Sequence, residues 1–132
     1  MDYQVQLAQK DGYLHVRVSG NNDPGTVMRY LKDIHGVCLK HKCPNVLIEE
    51  NLEGSRLGLV DVFGVVSASS KSVWPVVQRI AYVDVNQRQD FQNMKFAETV
   101  AVNRSVNVRV FRSVAEAEGW LAAALQAPPE IT

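Results

Sequence analysis

Tyr3, Val5 and Leu7 alternate with Gln4 and Gln6, a period of two that predicts a half-buried strand. Leu14, Val16 and Val18 alternate in the same way with His15, Arg17 and Ser19, and Asp11-Gly12 separates the two runs. An Asp-Gly pair signals a hairpin, because both central positions of the favoured two-residue turn need φ > 0. An antiparallel pair is expected, one face at least partly wet, with His15 pointing to solvent. The period then lengthens. Val27, Leu31, Ile34 and Cys38 recur at helical spacing, with Lys32, Asp33 and His35 off the stripe. Asp23 is placed to cap this helix and Pro24 to open it. It should stop near Cys43-Pro44, since the residue before a proline avoids the α region.

VLIEE (46–50) is a continuous apolar run closing in carboxylates, as expected of a central strand covered on both faces. A loop, NLEGSR, leads into a second helical stripe of Leu57, Val60, Phe63, Gly64 and Ser67. Gly58, Gly64 and Ala68 are small enough to let that helix pack closely. SSKSVWP reads as a surface connection, IAYVDV (80–85) as another buried strand and NQRQD as a polar turn. Phe91, Met94, Ala97 and Ala101 predict a third helix ending around 103–105, with Phe91 and Phe96 as core residues. Val108 and Val110 mark a last strand. Ser113 and Glu116 form a capping box ahead of a final helix whose buried face is Ala117, Trp120, Leu121 and Leu125. Pro128-Pro129 stops it, and residues 127–132 read as a disordered tail.

The predicted order is ββαβαβαβα, an α/β fold. Strands alternating with helices imply a mixed, mainly parallel sheet with one antiparallel N-terminal strand. Residues 1–126 form a single domain in this reading, with no internal repeat and no low-complexity segment. The 132 residues suffice to bury a core without staples.

Composition narrows the function classes. Fourteen Lys and Arg balance fourteen Asp and Glu, so no bulk field draws nucleic acid or an anionic membrane. Arg79, Arg88, Lys95, Arg104, Arg109 and Arg112 give the second half a basic lean, but no aromatics interleave to make a stacking platform. No run approaches the roughly 20 apolar residues of a membrane span. The N-terminus resembles neither a signal nor a transit peptide, so a cytoplasmic location is expected. Two cysteines are too few for a disulfide framework. His35, Cys38, His41 and Cys43 cluster in sequence, but His41 and Cys43 rotate away from the face shared by His35 and Cys38. They read as one buried cysteine and two solvent-facing histidines rather than a metal site.

Signs of catalysis are thin. Glu49, Glu50 and Glu53, with Asp84 at the next strand's end, suggest the Mg²⁺ site of receiver-type phosphotransfer domains. Such a site also wants an acidic pair after the first strand and a lysine after the last. Gln9-Lys10, Ser19-Gly20 and Arg112 stand there instead. GSRLG lacks the lysine and spacing of a phosphate-binding loop, and neither GxGxxG nor GxSxG occurs. The histidines show no nucleophile beside them. The sequence implies no enzyme and no cofactor.

VLIEENLEGSRLGLVDVFG and the closing NVRVFRSVAEAEGWL, together with the element order over about residues 3–126, resemble the STAS-type, SpoIIAA-like superfamily. That superfamily includes anti-sigma-factor antagonists and many stand-alone bacterial domains. In the antagonists the loop after the central strand reads Asp-Ser-Ser/Thr-Gly followed by Leu-Gly, and a partner kinase phosphorylates a hydroxyl in it. Here Glu53, Gly54, Ser55 and Arg56 stand there, followed by Leu57-Gly58. The hydroxyl and the Leu-Gly pair match. Glu53 replaces the aspartate, Gly54 a serine and Arg56 the glycine.

The resemblance implies a regulatory module that docks a protein partner through Asn51, Glu53, Ser55 and Arg56. Physically, a hydroxyl opening a helix caps free N–H groups, and a phosphate on it would meet the positive end of the helix dipole. Arg56 would assist such a phosphate, whereas Glu50 and Glu53 would repel it. Three readings stay open: a phosphoswitch, docking without phosphorylation, and a plain helix cap. The alternative function is a pocket for a small apolar or lipid ligand, by fold-level analogy with CRAL-TRIO-type domains, its local feature being the small-residue-rich segment Gly58 to Ser72. STAS-like domains often self-associate, so a homodimer is a further expectation, though no apolar face in the sequence specifies one.

Overall fold

In a computed structural model the chain is described over residues 3–21, 24–53, 78–85, 91–103 and 106–126. These residues build five strands and three helices: β1 (Tyr3–Lys10), β2 (Tyr13–Asn21), α1 (Pro24–His41), β3 (Asn45–Glu53), β4 (Arg79–Asp84), α2 (Phe91–Val102), β5 (Val108–Phe111) and α3 (Val114–Gln126). The expected cap at Asp23, the helix from Leu57 to Ser67, the 69–75 connection, the 86–90 turn and the 127–132 tail lie outside the described residues.

The sheet order is β1-β2-β3-β4-β5. β1 pairs antiparallel with β2, and the other three pairings are parallel. This is the mixed sheet that the element order predicts. The hairpin closes on a Lys10–Tyr13 pair, but only Gly12 takes positive φ, at 85°. Asp11 stays in the ordinary region. The turn is therefore one with a left-handed residue at its second central position alone, which Gly supplies at no steric cost.

Both faces of the sheet are covered, and the two-residue period decides what each receives. Leu14, Val16 and Val18 of β2, Val46, Ile48 and Leu52 of β3 and Ile80 of β4 cluster with Val27, Tyr30, Ile34 and Cys38 of α1; Ala97 of α2 packs against them. On the other face Leu47, Ala81 and Val83 meet Ala117 and Leu121 of α3, with Phe111 and Trp120 beside them. Right-handed parallel crossovers put the connecting helices on one side. α3 follows the last strand instead of joining two, and is free to cover the other.

Local signals set the helix ends. After α1, Lys42 N–H bonds Leu39 O at 3.3 Å and Cys43 N–H bonds Cys38 O at 3.1 Å. This is the paired closure of a Schellman motif, with Lys42 at φ 52° where glycine is usual. At α3 the serine half of the expected capping box is present: Ser113 Oγ accepts the Glu116 N–H at 3.2 Å, and the Glu116 carboxylate takes the Ser113 hydroxyl proton. Ser113→Ala should therefore lower stability by about 1 kcal/mol, measured as a drop in denaturation midpoint, while Ser113→Asp should keep most of it.

Several expectations need correction. Tyr30 is fully buried in α1, whereas Leu31 is only half-buried. Both cysteines are buried, not one, and His35 is half-buried while His41 is exposed. Phe96 is an exposed residue of α2, not a core one, and Phe91 is half-buried beneath the Arg112 guanidinium, 3.9 Å from its ring centre. Helical period identifies a stripe but not its width, so residues at the stripe edge are where the reading slips.

Candidate functional site

β3 runs longer than its apolar core. It continues through Asn51, Leu52 and Glu53, in parallel register with Ser19, Gly20 and Asn21 of β2. Asn51 and Glu53 are thus exposed strand residues, not loop residues, and Leu52 between them is buried. The pairing Ser19–Asn51 and Asn21–Glu53 sets four exposed polar side chains side by side on one face, at the carboxyl ends of two parallel strands. Open α/β sheets place their binding crevices at such ends. Ser55 and Arg56, the other two candidates, lie outside the described residues, as does the segment Gly58 to Ser72. Ser19 and Asn21 were missed by sequence reasoning, because register with β3 and not any motif brings them in.

Just before this polar row, Glu49 and Glu50 point to opposite faces. On the side of the row, His15 Nε2 lies 2.8 Å from Glu49 Oε1, and Arg17 Nε lies 3.6 Å from the same oxygen. His15 is 5% exposed, so the outward, solvated position expected for it is wrong. Its face of the sheet is covered, and a buried imidazole needs a polar partner. Glu49 supplies one from the neighbouring strand. On the same face, at the other end of β2, Tyr13 donates its hydroxyl to Glu118 of α3 at 2.9 Å. Burial and the Glu118 carboxylate push that phenol up to about 12.

Glu50 enters the core beneath α1. Tyr30 of α1 and Tyr82 of β4 both donate to its Oε2, and the two phenol oxygens lie 2.8 Å apart. Asp84, the register partner of Glu50 on β4, is buried beside it, and Val85 N–H caps the Glu50 carbonyl at 2.9 Å. Burial pushes the Glu50 carboxyl up to about 7; the two phenol hydrogen bonds pull it back, and the Asp84 charge adds to the rise. Burial first, and then the Glu50 charge, hold both tyrosines well above the ordinary phenol range.

The sequence places Glu49, Glu50, Glu53 and Asp84 at adjacent strand ends and argues against a receiver-type Mg²⁺ site there. The structure brings Glu50 and Asp84 together but turns Glu49 and Glu53 to the opposite face, so the four carboxylates do not converge. Tyr30 and Tyr82 went unnoticed, since each reads as an ordinary apolar position in its own element. Among the described residues no helix is long and apolar enough to cross a membrane.

No protein-family model matches the sequence, and no curated protein matches it. Among solved structures the chain is similar to an anti-sigma factor antagonist from Mycobacterium paratuberculosis, at 15% identity and a TM-score of 0.54. The match covers 91% of this chain and 94% of that one. At that identity the similarity is one of fold. The chain has the STAS-like, SpoIIAA-like architecture that its sequence resembles.

Proposed function

We propose that this chain is a non-enzymatic regulatory module that docks a protein partner at the carboxyl end of β3. Its contact surface starts with Asn51 and Glu53 and continues into Ser55 and Arg56. The observation that carries this reading is the exposed polar row Ser19, Asn21, Asn51 and Glu53, presented on rigid strands in a STAS-like fold. A row of this kind suits a flat protein contact better than a concave apolar pocket. Antagonist function in the structural neighbour is consistent with the same use of the fold, and the hydroxyl of Ser55 is the group on which a phosphate would act.

The test is affinity capture from the native host with matched variants. Asn51→Arg with Glu53→Arg should weaken partner recovery about tenfold, because two long cationic side chains would replace an amide and a carboxylate in the contact, reversing its charge. Gln9→Arg with Lys10→Glu, exposed on β1 at the far end of the strand from the row, should leave recovery unchanged. Equal recovery from both double variants would move the docking surface elsewhere. Ser55→Asp separates the remaining readings: a phosphoswitch predicts a changed partner set, and constitutive docking predicts the same one. Intact mass of protein from the host should then show one phosphate, absent in Ser55→Ala, only in the first case.

A further inference from the structure

The oxygens of Tyr30, Tyr82 and Glu50 form a closed triangle, each touching the other two. Three oxygen–oxygen contacts need three protons, and the two phenols provide two. The third side, whichever it is, is left with two lone pairs facing each other unless Glu50 brings a proton of its own. When both phenols donate to Glu50, the Tyr30–Tyr82 side is the one without a proton. A proton on Glu50 lets one phenol turn to the other, so that the three hydroxyls donate in turn round the ring and every side is a hydrogen bond. Burial argues the same way: an ionised carboxylate here would lose its water and sit beside a second buried carboxyl group, Asp84.

We propose that this triangle is a proton-operated latch: a proton on Glu50 locks α1 onto the carboxyl ends of β3 and β4, and its loss loosens α1 beside the strand that ends in the docking row. The groups acting on Glu50 come from two elements, Tyr30 on α1 and Tyr82 and Asp84 on β4. β2 contributes apolar Val18 at the register position of Glu50. On α2, Lys95 is paired with Glu98 at 2.8 Å, and Glu98 also accepts the Val110 N–H. Once ionised, Glu50 gains most by readmitting water, and the element to move is α1. Strands β3 and β4 are held in a ladder on both sides, whereas α1 is tied at this point through Tyr30. The link to docking rests on the proposed use of the β3 end; the latch itself does not.

The latch is tested without any partner. Protein labelled with ¹³C-glutamate should show one carboxyl resonance, absent in Glu50→Gln, titrating near pH 7 and not near 4.5. If opening of α1 fully hydrates Glu50, the same shift makes the open state about tenfold more populated at pH 8 than at pH 6. Amide exchange around Tyr30 to Ile34, corrected for its intrinsic pH dependence, should rise by up to about that factor in the wild type and stay flat in Glu50→Gln. A Glu50 resonance titrating near 4.5 would overturn the proposal. So would α1 exchange that ignores pH while Glu50 titrates near 7. Should Glu50→Gln fold poorly, Tyr82→Phe serves to assign the resonance by moving its midpoint. Loss of docking in the Asn51 and Glu53 variants with an intact latch, or the reverse, tells the two proposals apart.

Discussion

Leu121→Ala is expected to destabilise the protein by about 3–5 kcal/mol, among the largest effects of any single truncation in the described core. Leu121 is fully buried, and together with Ala117 it seats α3 on Leu47, Ala81 and Val83. Losing three methyl-sized carbons removes their transfer energy, and the cavity that remains adds to the cost. Little can relax into it. Ala81 and Ala117 are already small, and Leu47 and Val83 belong to central strands hydrogen-bonded on both sides. α3 is also the only described helix on that face, so nothing else among the described residues shares the load. Chemical denaturation should show a lower midpoint at unchanged slope. Leu121→Met, which keeps the volume, should cost less than about 1.5 kcal/mol. Leu39→Ala, at a site 43% exposed, should cost far less than Leu121→Ala.

Stability should also fall as pH rises from about 4 to about 8, by about 3 kcal/mol in total, and Glu50 should account for most of the fall. The folded carboxyl keeps its proton to about pH 7, whereas the unfolded one releases it near 4.5. Between those values the folded state binds more protons than the unfolded state, and raising the pH therefore favours unfolding. Below the window both forms are protonated and above it both are ionised, so the curve is level at each end. Glu50→Gln keeps the shape, carries no charge and has N–H groups for the third side of the triangle. Its denaturation midpoint should be nearly independent of pH across the window and should exceed that of the wild type at pH 8. A wild-type stability that rises through the window would mean that Glu50 is ionised in the fold and held by a partner charge.

Much of the architecture was legible because each part of it is local. The hairpin needed only Asp11-Gly12 between two alternating runs, and the last helix needed only Ser113, Glu116 and the spacing of Ala117 and Leu121. Even there the detail depended on geometry, since Gly12 alone takes the left-handed conformation. The candidate docking residues were half legible. Asn51 and Glu53 are exposed, as a contact surface requires, but the strand under them was read as too short, because polar residues at a strand's end look like loop. His15 was misplaced for a related reason: alternation says that it faces away from Leu14 and Val16, not that the far face is open.

What the sequence by itself determined is the alternation of strands and helices and the mixed sheet with its antiparallel first strand. Those follow from periods of 2 and 3.6 residues and from turn and capping chemistry, all read within a few positions. Only the tertiary structure decided which polar groups meet. Glu49 and Glu50 are neighbours in the chain, yet one joins His15 and Arg17 and the other joins Tyr30 and Tyr82 on the opposite side of the sheet. Tyr30 and Tyr82 are separated by 52 positions, one on a helix and the other on a strand. Their contact depends on strand register and on the placement of α1, and a local period carries no record of either.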